Sequence, residues 1–160
     1  MLTDESRTVK VEVVNDGKEG NPSISCRIEE ILEEDGSRSI GVFSMEDILL
    51  EPLVPMLVKT GVLIKDTDCI KHKFESNIDL FLKDSIIYHP SIYTTNGQDC
   101  IVLSWLGTDT SLNEFDIVNV EDSTYLVIPK NTFLGKFVFY RNHPIAVDIV
   151  YNGDFVAAEQ

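Results

Sequence analysis

Residues 78–157 read IDLFLKDSIIYHPSIYTTNGQDCIVLSWLGTDTSLNEFDIVNVEDSTYLVIPKNTFLGKFVFYRNHPIAVDIVYNGDFVA. Short runs rich in Val, Ile, Tyr and Phe alternate here with Asn-Gly, Glu-Asp and His-Pro, at a spacing of roughly 8–12 residues that is characteristic of antiparallel sandwiches and barrels. The clearest hairpin joins Ser91–Thr95 to Gln98–Trp105 through Asn96-Gly97, two residues that tolerate the positive φ angles of a tight type I′ turn. Phe115–Val120 with Thr124–Ile128, and Phe133–Tyr140 with Ile145–Tyr151, read as two further hairpins.

Upstream, Thr8–Val14 places Val9, Val11 and Val13 on one face and Lys10 and Glu12 on the other, the period of a half-buried strand. Ile24, Cys26 and Ile28 restart that alternation after a turn at Asn15-Asp16-Gly17, and Ser39–Phe43 is the expected hairpin partner. Val62–Ile64 and Cys69–Phe74 are further strands, the second with Ile70, His72 and Phe74 on one face. Between them, Ser44 and Asp47 resemble a helix cap, followed by an apolar face of Leu49, Leu50, Leu53, Val54, Leu57 and Val58. Pro52 and Pro55 interrupt this run, and Gly61 suits its end. The expectation is a mainly β chain, α+β at most: one antiparallel sandwich or barrel domain over 1–160, with one short proline-interrupted helical segment near 45–60.

At 160 residues the chain can bury about 68–70% of its unfolded surface, enough for one core without disulfide or metal. Thirteen Lys plus Arg against 27 Asp plus Glu give a net charge of −14. That charge repels phosphate backbones and anionic lipid, so neither nucleic acid nor membrane is an expected direct partner. Protein partners are expected instead, through self-assembly or a basic surface on another protein. The sequence from Lys83 to Lys130 holds 46 intervening residues with no Lys or Arg and seven acids, whereas residues 123–147 hold no acid. Complementary charged patches are one way to register such contacts.

Three cysteines, Cys26, Cys69 and Cys100, are odd in number and far apart, which reads as small buried hydrophobes in a reducing or redox-indifferent compartment. The first residues, MLTDESRTVK, lack a signal-peptide pattern, and no apolar run approaches the roughly 18 residues of a membrane span. The expected location is the cytoplasm or a particle assembled there.

Motifs that carry chemistry are missing. His72, His89 and His143 lie in no metal-ligand spacing, and no nucleophile elbow or phosphate-binding glycine loop occurs. Asp66-x-Asp68 and Glu114-x-Asp116 could each offer two carboxylates to a hard cation, without the further oxygens a calcium loop supplies. No catalytic, cofactor or metal residue is therefore assigned, and no cofactor is expected. The leading expectation is a non-enzymatic structural or interaction protein, a β-sandwich subunit of a larger, virion-like assembly. An acidic inhibitor or nucleic-acid mimic occupying a basic cleft is one alternative. The other is an enzyme whose site is assembled from scattered residues, with Asp66, Asp68, His72 and His143 as candidates.

Overall fold

The computed structural model describes residues 8–14, 27, 29–65, 70–89, 91–110, 113–140 and 146–151. These form a mostly antiparallel β structure with one short helix. The strands are β1 (Thr8–Val13), β2 (Glu30–Leu32), β3 (Arg38–Phe43), β4 (Ile48–Leu50), β5 (Met56–Lys59), β6 (Val62–Ile64) and β7 (Lys71–Ser76). After helix α1 (Ile78–Lys83) come β8 (Ile86–Tyr88), β9 (Tyr93–Thr95), β10 (Gln98–Trp105), β11 (Asp116–Val120), β12 (Ser123–Ile128), β13 (Phe133–Tyr140) and β14 (Ala146–Tyr151).

Four small sheets result, ordered β14-β1-β6, β5-β10-β8 with β9 also on β10, β11-β12-β4, and β2-β3-β13-β7. They surround one core, in which Val11, Ile40, Leu50, Ile70, Ile101, Leu103, Trp105, Leu126, Ile128, Leu134 and Phe137 are essentially inaccessible. Alternation delivers these residues: in β1, Val9, Val11 and Val13 are buried while Lys10 is exposed. The Asn96-Gly97 turn forms as its residue types require, with φ of 55° and 76°, and it pairs Thr95 with Gln98. β11 and β12 likewise form the expected hairpin, with Glu121 at φ 58°.

Two expectations about local structure are corrected. The segment near 45–60 is not helical: it forms β4 and β5, joined through Leu53 at φ 64°, and Pro52 lies in an isolated parallel bridge to Trp105. The two prolines remove helix donors at neighbouring turns, and the apolar residues on either side of them pair instead, Ile48–Leu50 with β12 and Met56–Val58 with β10. The cap residues serve a turn far along the chain. Ser44 Oγ accepts from Thr132 N at 2.9 Å and donates to the Pro129 carbonyl at 2.6 Å, while Asp47 Oδ1 accepts from Lys130 N at 2.9 Å. Gly61 lies in the β5–β6 turn rather than at a helix end.

The helix that does form covers IDLFLK, which reads as a strand run in sequence. Six residues are too few to display a 3.6-residue period. Phe81 N donates to the Asn77 carbonyl, and Asn77 is anchored through its own amides to the carbonyls of Phe133 and Leu134.

The last pairing also differs. β13 is sandwiched between β3 and β7, and β14 runs parallel to β1 in the register Thr8↔Ala146 to Val13↔Tyr151. Both edges of β13 are occupied, so Val147 and Ile149 reach the core beside Val9 and Val11 instead.

Candidate functional site

β10 turns Ile101, Leu103 and Trp105 inward, and the same period places Asp99 inward with them. An isolated carboxylate at such a position would be costly, so it must be satisfied by neighbours. Asp99 Oδ2 lies 3.0 Å from His72 Nε2 and accepts from Ile64 N at 3.2 Å, and Oδ1 accepts from Thr94 Oγ1 at 3.2 Å. The Asp99 side chain is 1% exposed and that of His72 is 9% exposed. One carboxylate thus ties β10 to β6, β7 and β9.

The surrounding turn extends the network. Thr60 donates from both its amide and its hydroxyl to the Asp99 carbonyl, at 3.1 and 2.7 Å. Gln98 Oε1 accepts from Gly61 N at 3.0 Å, and Gln98 Nε2 is buried with no partner among the described residues. His72 also meets Phe137 edge-on, with ring centroids 5.4 Å apart.

The chemistry of the pair follows from its geometry. A carboxylate facing Nε2 orients the ring and favours the tautomer that carries its proton on that nitrogen. If the ring takes a second proton, Asp99 stabilises the imidazolium. This is how a buried acid prepares a histidine for proton transfer. Thr94 is exposed on β9 and links the pair to the outer surface of the hairpin.

Of the residues singled out in sequence, His72 alone enters this cluster. Asp66, Asp68, His143, Cys26 and Cys69 lie outside the described residues. His89 Nε2 is 3.4 Å from Ser104 Oγ, on a different face. Glu114 pairs with Lys83 at 2.9 Å on the surface. Cys100 is fully buried, and desolvation, reinforced by neighbouring Asp99, pushes its thiol up from the ordinary value. Among the described residues no three His, Cys, Asp or Glu side chains converge as a metal donor set.

Asp99 belongs to no recognisable motif, although its signal is present in the sequence: an acid in period-2 register with Ile101, Leu103 and Trp105. Asp84 is a second buried acid, and it accepts from Glu114 N at 2.8 Å and Phe115 N at 3.0 Å. A groove of about 460 Å³ over β3 and β13 is lined by Glu33, Asp35, Arg38, Glu75 and Lys136 among others. Its bases are engaged: Lys136 Nζ lies 2.6 Å from Glu33, and Arg38 lies 2.9 Å from Glu30. Lys136, from the acid-free segment, is therefore neutralised by an acid of another segment rather than contributing to a positive face.

No protein-family model matches the chain, and no curated protein matches it. Solved structures do. A dUTPase from phage phi11 of S. aureus superposes with a TM-score of 0.58 at 14% identity, covering 83% of this chain and 90% of that one. The dUTPase of Staphylococcus bacteriophage 80alpha, bound to dUpNHpp, gives 0.59 at 16% identity over 83% and 82%. A second variant of that enzyme gives 0.56 at 16% over 86% and 90%. The chain shares its fold with phage dUTPases.

This corrects the expectation of a non-enzymatic assembly subunit. That reading rested on strand density and missing active-site motifs, and the similar structures, which are phage dUTPases, are enzymes of the same strand-dense fold. A site assembled across β6, β7, β9 and β10 has no local motif to find. The phi11 protein coordinates a structural Mg(II) ion.

Proposed function

We propose that the chain is a nucleotide-hydrolysing enzyme of the dUTPase type, acting on dUTP or a closely related deoxynucleoside triphosphate. The Asp99–His72 pair at the base of the β9–β10 hairpin carries this reading, because it is a buried, pre-oriented proton acceptor within a dUTPase-like fold. In the proposed reaction a water oxygen forms a bond to phosphorus as a phosphoanhydride bond breaks. His72 takes the water proton, and the resulting imidazolium is held by Asp99. Thr94 Oγ1 fixes the second carboxylate oxygen, so the acid keeps its orientation through the transfer.

The test is release of pyrophosphate and orthophosphate from dUTP, with the other deoxynucleoside triphosphates as controls. The expected result is turnover that prefers dUTP and falls by about 100-fold or more in His72→Ala, the usual scale of a lost general base. Absence of product from every nucleotide, together with no effect of dUpNHpp on thermal stability, overturns the reading. Tight, stabilising binding of dUpNHpp without turnover favours a nucleotide-responsive binding protein instead. That second reading is supported by the full engagement of Asp99 with protein donors, and an 80alpha dUTPase is itself described as controlling transfer of virulence genes by a G protein-like mechanism.

A further inference from the structure

The Asn96-Gly97 turn carries a chemistry of its own, independent of any reaction at His72. Both residues are exposed, with φ of 55° and 76°, and they close a two-residue hairpin that pairs Thr95 with Gln98 and Thr94 with Asp99. In such a turn the ladder bonds join the flanking residues, so the Gly97 amide lies outside them. Glycine also leaves that amide unshielded, since a Cβ added at Gly97 would meet nothing within 4 Å. The carboxamide carbon of Asn96, one residue back, is the electrophile within its reach. Asn77, Asn113, Asn119 and Asn131 precede Ile, Glu, Val and Thr, whose side chains crowd the same approach.

We propose that Asn96 is a site of spontaneous succinimide formation, and that its isoaspartyl product releases Thr94 from Asp99. The Gly97 amide nitrogen passes its proton to water and bonds to Asn96 Cγ. The bond from Cγ to the side-chain nitrogen breaks, and ammonia leaves with a proton from solvent. One water then opens the ring, at Cγ to give aspartate or at the main-chain carbonyl to give isoaspartate. In isoaspartate the main chain runs through Cβ and Cγ and is one atom longer, so it no longer fits the two-residue turn that fixes the register. The change reaches β9 first: this strand has three residues, all exposed, and among the described residues it pairs only with β10. Slippage there separates Thr94 Oγ1 from Asp99 Oδ1, 3.2 Å apart in the native register. The bonds of Asp99 to His72 and Ile64 come from other strands and persist. An exposed turn thus acts as a slow chemical switch on one donor to the buried acid.

Incubation of the full chain at mildly alkaline pH, followed by peptide mapping with mass spectrometry, tests this against the same chain unfolded in guanidinium chloride. Ring closure requires the turn to open, which a short exposed hairpin does at the low-stability end of a molecule. The expected result is deamidation at Asn96 in the folded chain within about tenfold of its rate in the unfolded chain. Stronger protection overturns the proposal. Mapping separates Asn96 from Asn152-Gly153, the other Asn-Gly pair in the sequence. Amide exchange reads the coupling to β9. Protein carrying isoaspartate at position 96 should exchange across β9 at least about tenfold faster than fresh protein, and repair by an isoaspartyl methyltransferase should restore the slower rate. Asn96→Asp brings the added charge without the added atom and should exchange as fresh protein does. Exchange in β9 that isoaspartate leaves unchanged, or that Asn96→Asp raises equally, overturns the coupling. None of these readouts depends on nucleotide turnover, so they stand or fall separately from the hydrolase reading.

Discussion

Asp99 on β10 and His72 on β7, 27 residues apart in sequence, meet at 3.0 Å in an interior from which water is almost excluded. The pair locks two sheets together, because β7 belongs to the β2-β3-β13-β7 sheet and β10 to the β5-β10-β8 sheet. Removing the acid therefore exposes a structural as well as a chemical role.

Asp99→Ala leaves the His72 ring, the Ile64 amide and the Thr94 hydroxyl without their acceptor. Taking a charged acceptor away from buried donors costs about 1.5–3 kcal/mol for each such hydrogen bond. Urea denaturation should show that loss. A double-mutant cycle with His72→Ala should return a coupling of about 1 kcal/mol or more, whereas additive effects would argue against a direct interaction.

Asp84 is fully buried and holds the bend before β11 through two backbone amides. Asp84→Ala should cost about 2–3 kcal/mol, since the amides of Glu114 and Phe115 lose a charged acceptor. Asn at this position presents one carbonyl oxygen and should recover part of the loss, measured as the midpoint of thermal unfolding.

Gly135 sits at the register shift between β13 and β3 with φ 150°. A Cβ there would strike the Glu75 carbonyl oxygen and come within 2.6 Å of Phe74 Cζ, in the tightly packed β7–β13 contact. Gly135→Ala should therefore destabilise by at least about 3 kcal/mol, combining overpacking with backbone strain. Gly97→Ala meets nothing within 4 Å and should cost less, through its φ of 76° alone. Comparison of the two variants by denaturant midpoint checks the order.

Glu33 supplies a pH dependence. The Lys136 ammonium, and after it the Ser39 hydroxyl, hold its carboxyl below the ordinary value of 4.5 in the folded chain. As pH falls the unfolded chain takes up this proton first. The contribution of Glu33 to stability is thus complete above pH 4.5 and disappears as pH drops through the folded-state value. Partial solvent exposure keeps it modest. Glu33→Gln should flatten the acid limb of a stability–pH curve, and an unchanged limb would assign it to other carboxylates.

Local chemistry was legible wherever a short stretch decides its own conformation. Alternation exposes β1, β7 and β10, and Asn96-Gly97 and Glu121-Asp122 place two hairpins correctly, because a tight turn sets the register of the strands it joins. Sequence determined, on these grounds, that the protein is a mainly antiparallel β chain with a net charge of −14 and a core of alternating Val, Ile, Leu and Phe. Tertiary structure decided what local rules leave open. It made a helix of Ile78–Lys83, whose six residues are too few to show a helical period, and strands of the proline-broken run at 48–59. It also sent β14 to β1 rather than to β13, since a strand chooses among distant edges by the core surface it can bury. The same physics hid the candidate site: Asp99 and His72 belong to strands brought together only when the sheets close, so neither residue carries a recognisable spacing until the fold exists.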